Sequence, residues 1–223
     1  MTPTKRIRIW DLPTRLFHWA LLVCVVGLVV TGKVGNELMV WHFRLGYCVM
    51  TLLLFRIIWG FVGGKWSRFA SFIYAPGTVI AYLKGQGQPE HSAGHNPLGA
   101  GSVFALLLIL MAQVGTGLIS DDEIMNQGPL ARFVSGARVS LATWLHKDIG
   151  PYAIFALVAL HVAAILFYLV KKKENLIRPM IEGDKEMLQA VEPSKDSAGS
   201  RLSALVVLAL CGAFVAWVAR FAA

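Results

Sequence analysis

The chain has 223 residues, of which 56% are hydrophobic, and its 21 Lys and Arg against 13 Asp and Glu give a net charge of +8. Soluble domains are usually about 45–50% apolar, and the excess here is concentrated in long runs, which is typical of integral membrane proteins. The basic residues stand in segments beside those runs, where they fit membrane topology and lipid headgroups and argue against nucleic-acid binding.

Five apolar stretches are long enough to cross a bilayer, which takes about 20 residues in a helix. They cover Leu16–Val34, Trp41–Val62, Leu98–Ile119, Leu141–Val170 and Leu202–Ala222. We predict that all five are helices, because only helices and closed barrels satisfy their backbone groups in lipid and none of the five alternates like a barrel strand. The first stretch resembles a signal peptide, but no small-residue cleavage site follows it, so we expect it to be retained as a helix.

The segments between the apolar stretches predict the orientation in the membrane. Residues 1–15, the loop after the second stretch and residues 171–201 carry most of the Lys and Arg. Cytoplasmic segments carry this excess, so we expect a cytoplasmic N-terminus and a fifth helix that ends outside. The chain then divides into a cytoplasmic N-terminal arm (1–15), a four-helix transmembrane bundle (16–170), a cytoplasmic surface segment and linker (171–201) and an additional C-terminal transmembrane helix (202–223).

Four of the six histidines lie in or at the ends of apolar stretches. These four are His18, His42, His146 and His161, whereas His91 and His95 lie in a predicted cytoplasmic loop. A polar side chain inside a membrane helix is costly and usually has a partner or a function. One such histidine would more often bond between helices, but four in one small chain indicate ligands. Zinc would draw its ligands from one depth, often with Cys or carboxylates.

Depth separates these four histidines into two pairs. His146 and His161 are 15 residues apart on the predicted fourth helix, which is about 22 Å along the axis and within about 60° of one face. His42 lies at the outer level of His146, and His18 lies at the inner level of His161. Each pair can therefore ligate one metal ion from opposite sides.

Paired histidines in a membrane bundle favour haem iron. Neutral imidazole suits iron, and a flat porphyrin between helices buries a large apolar ring. The sequence has no C-x-x-C-H motif, which excludes a covalently attached c-type haem. Two axial histidines leave no open coordination position, which favours one-electron transfer over oxygen binding. We therefore predict two haem b groups and an electron-conducting role.

Three glycines are candidates for contact with a porphyrin. Gly46 lies one turn after His42 on the same face, where the missing side chain would admit a porphyrin edge. Gly115 and Gly117 would do the same on the third helix. Close packing of helices through small residues is the alternative for all three.

Two arginines of the second helix are candidates to pair with haem propionates. Arg56 lies 14 residues after His42, about 21 Å inward and about 40° off its face, so we predict that it lies beside the inner haem. Arg44 is predicted to serve the outer haem in the same way. For both, snorkelling to the membrane surface is the alternative.

Six short motifs carry a resemblance to a known family. They are W-D-L-P-T-R-L-F-H-W (Trp10–Trp19), W-H-F-R-L-G-Y (Trp41–Tyr47), L-F-R-I-I-W-G-F-V-G (Leu54–Gly63), G-H-N-P-L-G (Gly94–Gly99), W-L-H-K (Trp144–Lys147) and L-H-V-A-A (Leu160–Ala164). Together they resemble the prokaryotic cytochrome b-561 family, which is related to the cytochrome b subunits of nickel–iron hydrogenases and membrane formate dehydrogenases. The resemblance covers about residues 6–185.

The resemblance implies an all-α integral membrane protein, a four-helix bundle with two haems in its core, located in the bacterial inner membrane. It implies electron exchange between the quinone pool and a partner, often a periplasmic redox protein such as a c-type cytochrome or an enzyme subunit. The family's ligands match His18 and His161 for the inner haem, and His42 and His146 for the outer haem. His95 falls within G-H-N-P-L-G, where we expect a solvated loop histidine, with a place near quinone or a propionate as the alternative. The fifth apolar stretch lies outside the family's pattern and could dock a partner subunit, pack on the bundle or place the C-terminus outside.

The leading hypothesis is a respiratory cytochrome b that relays electrons between a membrane quinol and a periplasmic acceptor. We expect quinone to react beside the inner haem, near Arg15, Arg56 and His95. One alternative is an anchor subunit that connects a hydrogenase- or dehydrogenase-like partner to quinone, and another is a superoxide:quinone oxidoreductase. A further alternative belongs to a different functional class. It is a haem-free membrane scaffold or transporter, in which the histidines bridge helices or carry protons.

Overall fold

The computed structural model describes residues 5–87, 91, 93–188 and 190–222. Within this part, five helical spans are long and apolar enough to cross a membrane, which confirms the predicted number. The spans are helix α1 (Leu12–Val34), helix α2 (Met39–Val62), helix α4 (Pro97–Leu118), the continuous span Gly136–Val170 and helix α8 (Ala198–Ala219). A short helix α3 (Pro76–Leu83) precedes α4.

Helix α1 begins four residues earlier than predicted, because Asp11 caps it. The Asp11 carboxylate accepts a hydrogen bond from Thr14 N at 2.8 Å, as an N-cap side chain does, and Pro13 stands in the first turn, where it is tolerated. Asp11 is fully buried. It also accepts hydrogen bonds from Trp59 Nε1 at 3.2 Å and from Ser67 Oγ at 2.7 Å, so one carboxylate connects the start of α1 to the end of α2.

The fourth span is interrupted by a wide turn. Helix α5 (Gly136–Trp144) and helix α6 (Gly150–Val170) are joined by a π-helical turn over Leu145–Ile149, which holds His146. Such turns are rare and occur often at functional sites. The span begins before the predicted Leu141, and Asp148 within the turn gives it one carboxylate.

By packing, the chain divides into two compact units. The first unit consists of Met1–His18, Arg56–Phe104 and Leu160–Val207. It contains helix α7 (Ile177–Glu182) and an antiparallel sheet of strand β1 (Lys5–Arg8) and strand β2 (Asp184–Met187), with Lys5 opposite Met187 and Arg8 opposite Asp184. Its buried apolar cluster consists of Ile7, Ile9, Trp10, Trp66, Ala93 and Met187.

The second unit consists of Trp19–Phe55, Ala105–Ala159 and Leu208–Ala223. Its polar loop after α4 is closed by a bridge between Asp121 and Gln127. The Asp122 carboxylate accepts hydrogen bonds from the backbone N–H groups of Ile124, Met125 and Asn126, which fix the loop. Burial alone would raise the pKa of Asp122. The hydrogen bonds from these backbone groups and from the Asn126 side chain outweigh burial and hold the pKa well below its usual range.

Candidate functional site

His42 and His146 face each other within the second unit. Their ring centres lie 6.1 Å apart, and the ring planes are at 89°. A metal–imidazole bond is about 2.0–2.1 Å, so two imidazoles on opposite sides of one ion have nitrogens about 4 Å apart and ring centres about 6 Å apart. The spacing of this pair therefore accommodates a metal ion.

Backbone carbonyls select the tautomer of both rings. His42 Nδ1 lies 3.2 Å from Leu28 O and 3.2 Å from Thr31 Oγ1, and His146 Nδ1 lies 2.9 Å from Gln113 O. A carbonyl oxygen only accepts, so each Nδ1 carries the proton and donates it. Each Nε2 then keeps its lone pair, which is the arrangement that metal-binding histidines adopt.

Glycines make room for these two rings. A Cβ on Gly32 would lie 3.1 Å from His42 Cε1, and a Cβ on Gly117 would lie 2.7 Å from His146 Cε1. Gly117 thus leaves room for the imidazole of His146. At Gly46 and Gly115 an added Cβ would meet no described atom within 4 Å, and the contact of these glycines with a porphyrin edge stays a prediction.

His18 and His161 belong to the first unit. His18 lies in the second turn of α1 and His161 in the middle of α6, and the two half-buried rings are within electrostatic reach of each other. Ser102 Oγ, on α4, lies 3.5 Å from His161 Nδ1, at the limit of a hydrogen bond. Both members of the predicted inner pair thus belong to one unit, and their ligation of one iron stays a prediction.

Arg56 is buried in the same unit. Only 3% of the residue is exposed, and its guanidinium carbon lies 4.7 Å from the ring centre of Phe69. The guanidinium is therefore enclosed by protein, and its contact with a propionate of the inner haem stays a prediction.

His95 is packed against aromatic rings, which corrects the expectation of a solvated loop histidine. Its ring centre lies 4.7 Å from that of Trp10 and 4.5 Å from that of Phe72, and the Tyr74 hydroxyl donates to its backbone carbonyl at 2.8 Å. Burial lowers the pKa of His95 to about 3, with smaller contributions from nearby cationic groups, Arg56 first. The ring is therefore neutral at physiological pH.

Three buried polar atoms in the first unit have no hydrogen-bond partner among the described residues. They are Arg15 Nε, Arg56 Nη1 and His95 Nδ1. Buried polar groups are nearly always paired, so these atoms are available to a polar group from outside the described part of the chain. The carboxylates of a haem or the oxygens of a quinone have this chemistry.

The comparison with known families agrees with these observations. The family model described as prokaryotic cytochrome b561 matches residues 9–183. The chain belongs to this family. It is thus a multi-pass membrane cytochrome of the b type that functions in electron transfer, and such cytochromes hold haem b.

Curated relatives of this b561 cytochrome are similar over most of their length. The "Probable Ni/Fe-hydrogenase 1 B-type cytochrome subunit" of Escherichia coli (strain K12) is 25% identical over 210 residues, 78% of this chain and 88% of that protein. The "Probable Ni/Fe-hydrogenase B-type cytochrome subunit" of Bradyrhizobium diazoefficiens is 24% identical, over 81% of this chain and 86% of that protein. The protein of the same name from Azotobacter chroococcum mcd 1 is 26% identical, over 79% and 87%.

The residues of this cytochrome fit the group that its family implies. In the second unit two histidines offer Nε2 lone pairs at the spacing of one metal ion, beside open space at Gly46 and Gly115. In the first unit a second histidine pair shares its surroundings with the buried Arg56 cation.

Arg44 lies on a different face of α2 from His42. Its guanidinium carbon lies 5.0 Å from the ring centre of Trp41, and the side chain lines a cavity with the end of α8. Two residues along a helix turn the side chain by about 200° from His42. The contact of Arg44 with a propionate of the outer haem stays a prediction.

Two positions with a function at the site were missed in the sequence. A single glycine in an apolar helix is common, so Gly32 by itself gives no signal of a function. The one sequence clue is its position ten residues before His42. Gln113 lies inside the third apolar stretch. It is the one long polar side chain between Leu98 and Leu118, which is the signal that could have identified it. A polar side chain at that depth usually has a partner, and here the partner is His146.

Proposed function

We propose that this cytochrome holds two haem b groups, one between His42 and His146 and one between His18 and His161. The observation that carries the proposal is that backbone carbonyls accept from Nδ1 of both His42 and His146, whose rings lie 6.1 Å apart. A histidine that only bridged helices would have no need of a second imidazole at this spacing. Bound haem would supply one-electron oxidation and reduction, and two histidines per iron leave no position for oxygen.

The chain's own residues orient these ligands. Leu28 O and Gln113 O fix the protons on Nδ1, and Gly32 and Gly117 let the two rings lie against their neighbouring helices. Because each ring is held on the Nδ1 side, ligand geometry is preorganised before the cofactor binds.

We further propose that a quinone reacts in the first unit, at Arg15, Arg56 and His95. The three unpartnered buried atoms of these residues support this proposal. A neutral His95 can donate to or accept from a quinone oxygen, and the buried Arg56 cation would stabilise negative charge that develops on it. Conversion of quinone to quinol takes up two electrons and two protons, so the group beside the quinone oxygen must be able to exchange a proton.

The positive-inside rule supports a cytoplasmic position for this quinone site. The basic arm before His18 and the basic segment after α6 both belong to the first unit. The start of α2, with His42, would then lie on the periplasmic side of a bacterial inner membrane. Electrons would pass between quinone on the cytoplasmic side and a redox protein in the periplasm.

A second candidate is that this cytochrome is one subunit of a larger enzyme. The curated relatives are named as cytochrome subunits of Ni/Fe-hydrogenases, and the alignment covers 88% of the Escherichia coli protein. By this relationship the periplasmic partner would be an oxidoreductase subunit. Affinity purification in mild detergent from the native membrane would recover such a subunit in fixed ratio, whereas a soluble partner would be lost on washing.

Haem content per purified chain tests the proposal directly. A pyridine haemochrome assay should give two b haems for the unaltered chain, and one for each of His42→Ala, His146→Ala, His18→Ala and His161→Ala. His91→Gln, a histidine outside both pairs, serves as the control and should keep two. Retention of both haems in His42→Ala and His146→Ala would exclude the assigned ligands.

A further inference from the structure

A cavity of about 440 Å³ lies in the second unit, and neither His42 nor His146 lines it. Its walls come from the start of α2, from the loop at Met125–Gln127 and from the end of α8. On α2 it is lined by Val40, Phe43, Arg44 and Tyr47, which lie about 100–160° around the helix from His42. Ligand pockets are commonly about 300–1,000 Å³, so the volume suffices for a small polar group.

The charge of this cavity comes from Arg44. The side chain is exposed, and none of the ion pairs among the described residues involves it. The carboxylates of the neighbouring loop do not line the cavity. Asp121 accepts from the Gln127 side chain at 2.7 Å and Asp122 from the Asn126 side chain at 2.6 Å. The cation therefore has no counter-charge within the described part of the chain.

The other lining groups give the cavity two different surfaces. Arg44 and the Tyr47 hydroxyl are donors available to a ligand, while the Asn126 and Gln127 amide groups each donate one bond within their loop. The remaining lining is apolar. It consists of Val40, Phe43, Met125, Ala219 and Ala222.

The position of the cavity identifies the source of its ligand. It lies at the ends of membrane-spanning helices, where Trp41 stacks on Arg44 at 5.0 Å, and Trp with Arg at a helix end is typical of the headgroup level of a bilayer. Val40, on its wall, is 56% exposed, and on a membrane helix such a side chain faces lipid. A ligand there would have a negative headgroup and an apolar tail.

We propose that this cavity binds an anionic membrane phospholipid, with its phosphate on Arg44 and Tyr47 and its acyl chains against the apolar wall. Such a lipid would contact both α2 and the end of α8. It would therefore stabilise the fifth helix, which the family model does not cover, against the rest of its unit. The proposal is independent of the haem ligands, because none of the lining residues contacts His42 or His146 among the described contacts.

Native mass spectrometry of the full chain in detergent tests the proposal, with phosphatidylglycerol titrated as the probe. Arg44→Gln should weaken binding of the first phosphatidylglycerol by about tenfold, the loss of one hydrogen bond to a charged group. Arg44→Lys, which keeps the charge, should retain most of the affinity. Ala219→Phe, which keeps Arg44 and fills the cavity, should also weaken binding. Arg138→Gln removes another exposed arginine of the same unit that does not line the cavity, and it should bind like the unaltered chain.

Two comparisons separate the lipid from other occupants. Phosphatidylcholine should bind more weakly than phosphatidylglycerol, and glycerol phosphate, which lacks acyl chains, should not bind measurably. Unchanged phosphatidylglycerol affinity in both Arg44→Gln and Ala219→Phe would overturn the proposal. So would equal affinity for glycerol phosphate, or the absence of bound phospholipid from the unaltered chain. Haem content and helical circular dichroism should be unchanged in every variant, which shows that each one folds.

Discussion

His146 and Gln113 exchange two hydrogen bonds. His146 Nδ1 donates to Gln113 O at 2.9 Å, and the Gln113 side-chain amide donates to His146 O at 2.9 Å. The second bond has a local cause. The π-helical turn over Leu145–Ile149 moves the N–H of Gly150 from the usual acceptor, His146 O, to Leu145 O, and Gln113 supplies the donor that the turn removes. The π-helical turn and the Gln113 side chain therefore act jointly to position His146.

Gln113→Leu should loosen the His146 ligand without removing it. The substitution takes away the bond to the carbonyl but leaves the backbone acceptor of Nδ1 in place. The loss should lower the free energy of unfolding by about 1–3 kcal/mol, because a carbonyl is left unpaired in a membrane segment. Thermal release of haem, followed by absorbance, should occur at lower temperature than in the unaltered chain. Thr51→Val is the control, because the Thr51 hydroxyl donates to Tyr47 O within its own helix in the same unit. An equal effect there would show that Gln113 has no special part.

Gly117→Ala should remove the haem of the second unit. The added Cβ would lie 2.7 Å from His146 Cε1, which requires the ring to move. Gly212→Ala, on α8 of the same unit, is the control, because an added Cβ there comes no closer than 3.9 Å to Thr51 Cγ2. Pyridine haemochrome should report one haem for Gly117→Ala and two for Gly212→Ala. Two haems in Gly117→Ala would mean that the ring position is not fixed by this glycine.

Much of the architecture could be predicted from composition. The long apolar runs can only be helices in lipid, so the number of spans was confirmed. The histidines stood out for the same reason, since an imidazole in an apolar helix is costly. His42 and His146 do lie together, as their depths predicted. The π-helical turn that holds His146 was not predicted, because a regular helix was assumed there.

Features that depend on distant contacts could not be predicted. Strands β1 and β2 have only four residues each, and most of these are charged. The Arg8–Asp184 ion pair that joins the two strands connects residues 176 positions apart in the sequence. His95 lies in a stretch whose Gly and Pro content predicts a solvated loop, and its aromatic neighbours Trp10 and Phe72 come from other parts of the chain. The depth of Arg44 follows from the sequence, whereas its contact with Trp41 depends on the face of α2 that the fold presents there.

His95→Leu should slow the proposed reaction with quinol. Leucine keeps apolar packing against Trp10 and Phe72 but removes the buried Nδ1 atom, which has no partner among the described residues. Loss of one hydrogen bond to a reacting oxygen should lower the rate of haem reduction by quinol about tenfold or more. Reduction by dithionite and the haem content should be unchanged. His91→Gln, in the same stretch of chain, is the control.

The His95 prediction fails if quinol reduces the haems of His95→Leu at the unaltered rate while His91→Gln is also normal. An equal slowing of dithionite reduction would assign His95 to the haem pocket and not to quinone. The two outcomes are distinguished because dithionite does not require a quinone site.

Asp196 should make the stability of the first unit depend on acid pH. Burial opposes its ionisation, but hydrogen bonds from Arg201, Leu12 N and Arg8 outweigh that effect and lower the pKa of Asp196 below its ordinary value. A carboxyl with a lowered folded pKa contributes stability that is fully present above its unfolded pKa, about 3.9, and is lost as pH falls through the folded pKa. Thermal unfolding of the unaltered chain should therefore shift to lower temperature as pH falls below about 4.

Asp196→Asn should remove that part of the acid sensitivity. The variant should unfold at lower temperature than the unaltered chain at pH 7, because Arg8 and Arg201 both lose their partner, which is only 6% exposed. The difference between the two chains should shrink as pH falls through the lowered pKa of folded Asp196, below which the native carboxyl is also neutral. Glu182→Gln breaks ion pairs to Arg6 and Arg178 whose side chains are more than half exposed, so it should change stability little at either pH. If the difference between Asp196→Asn and the unaltered chain stayed constant from pH 7 to pH 3, ionisation of Asp196 would not be the source of the stabilisation.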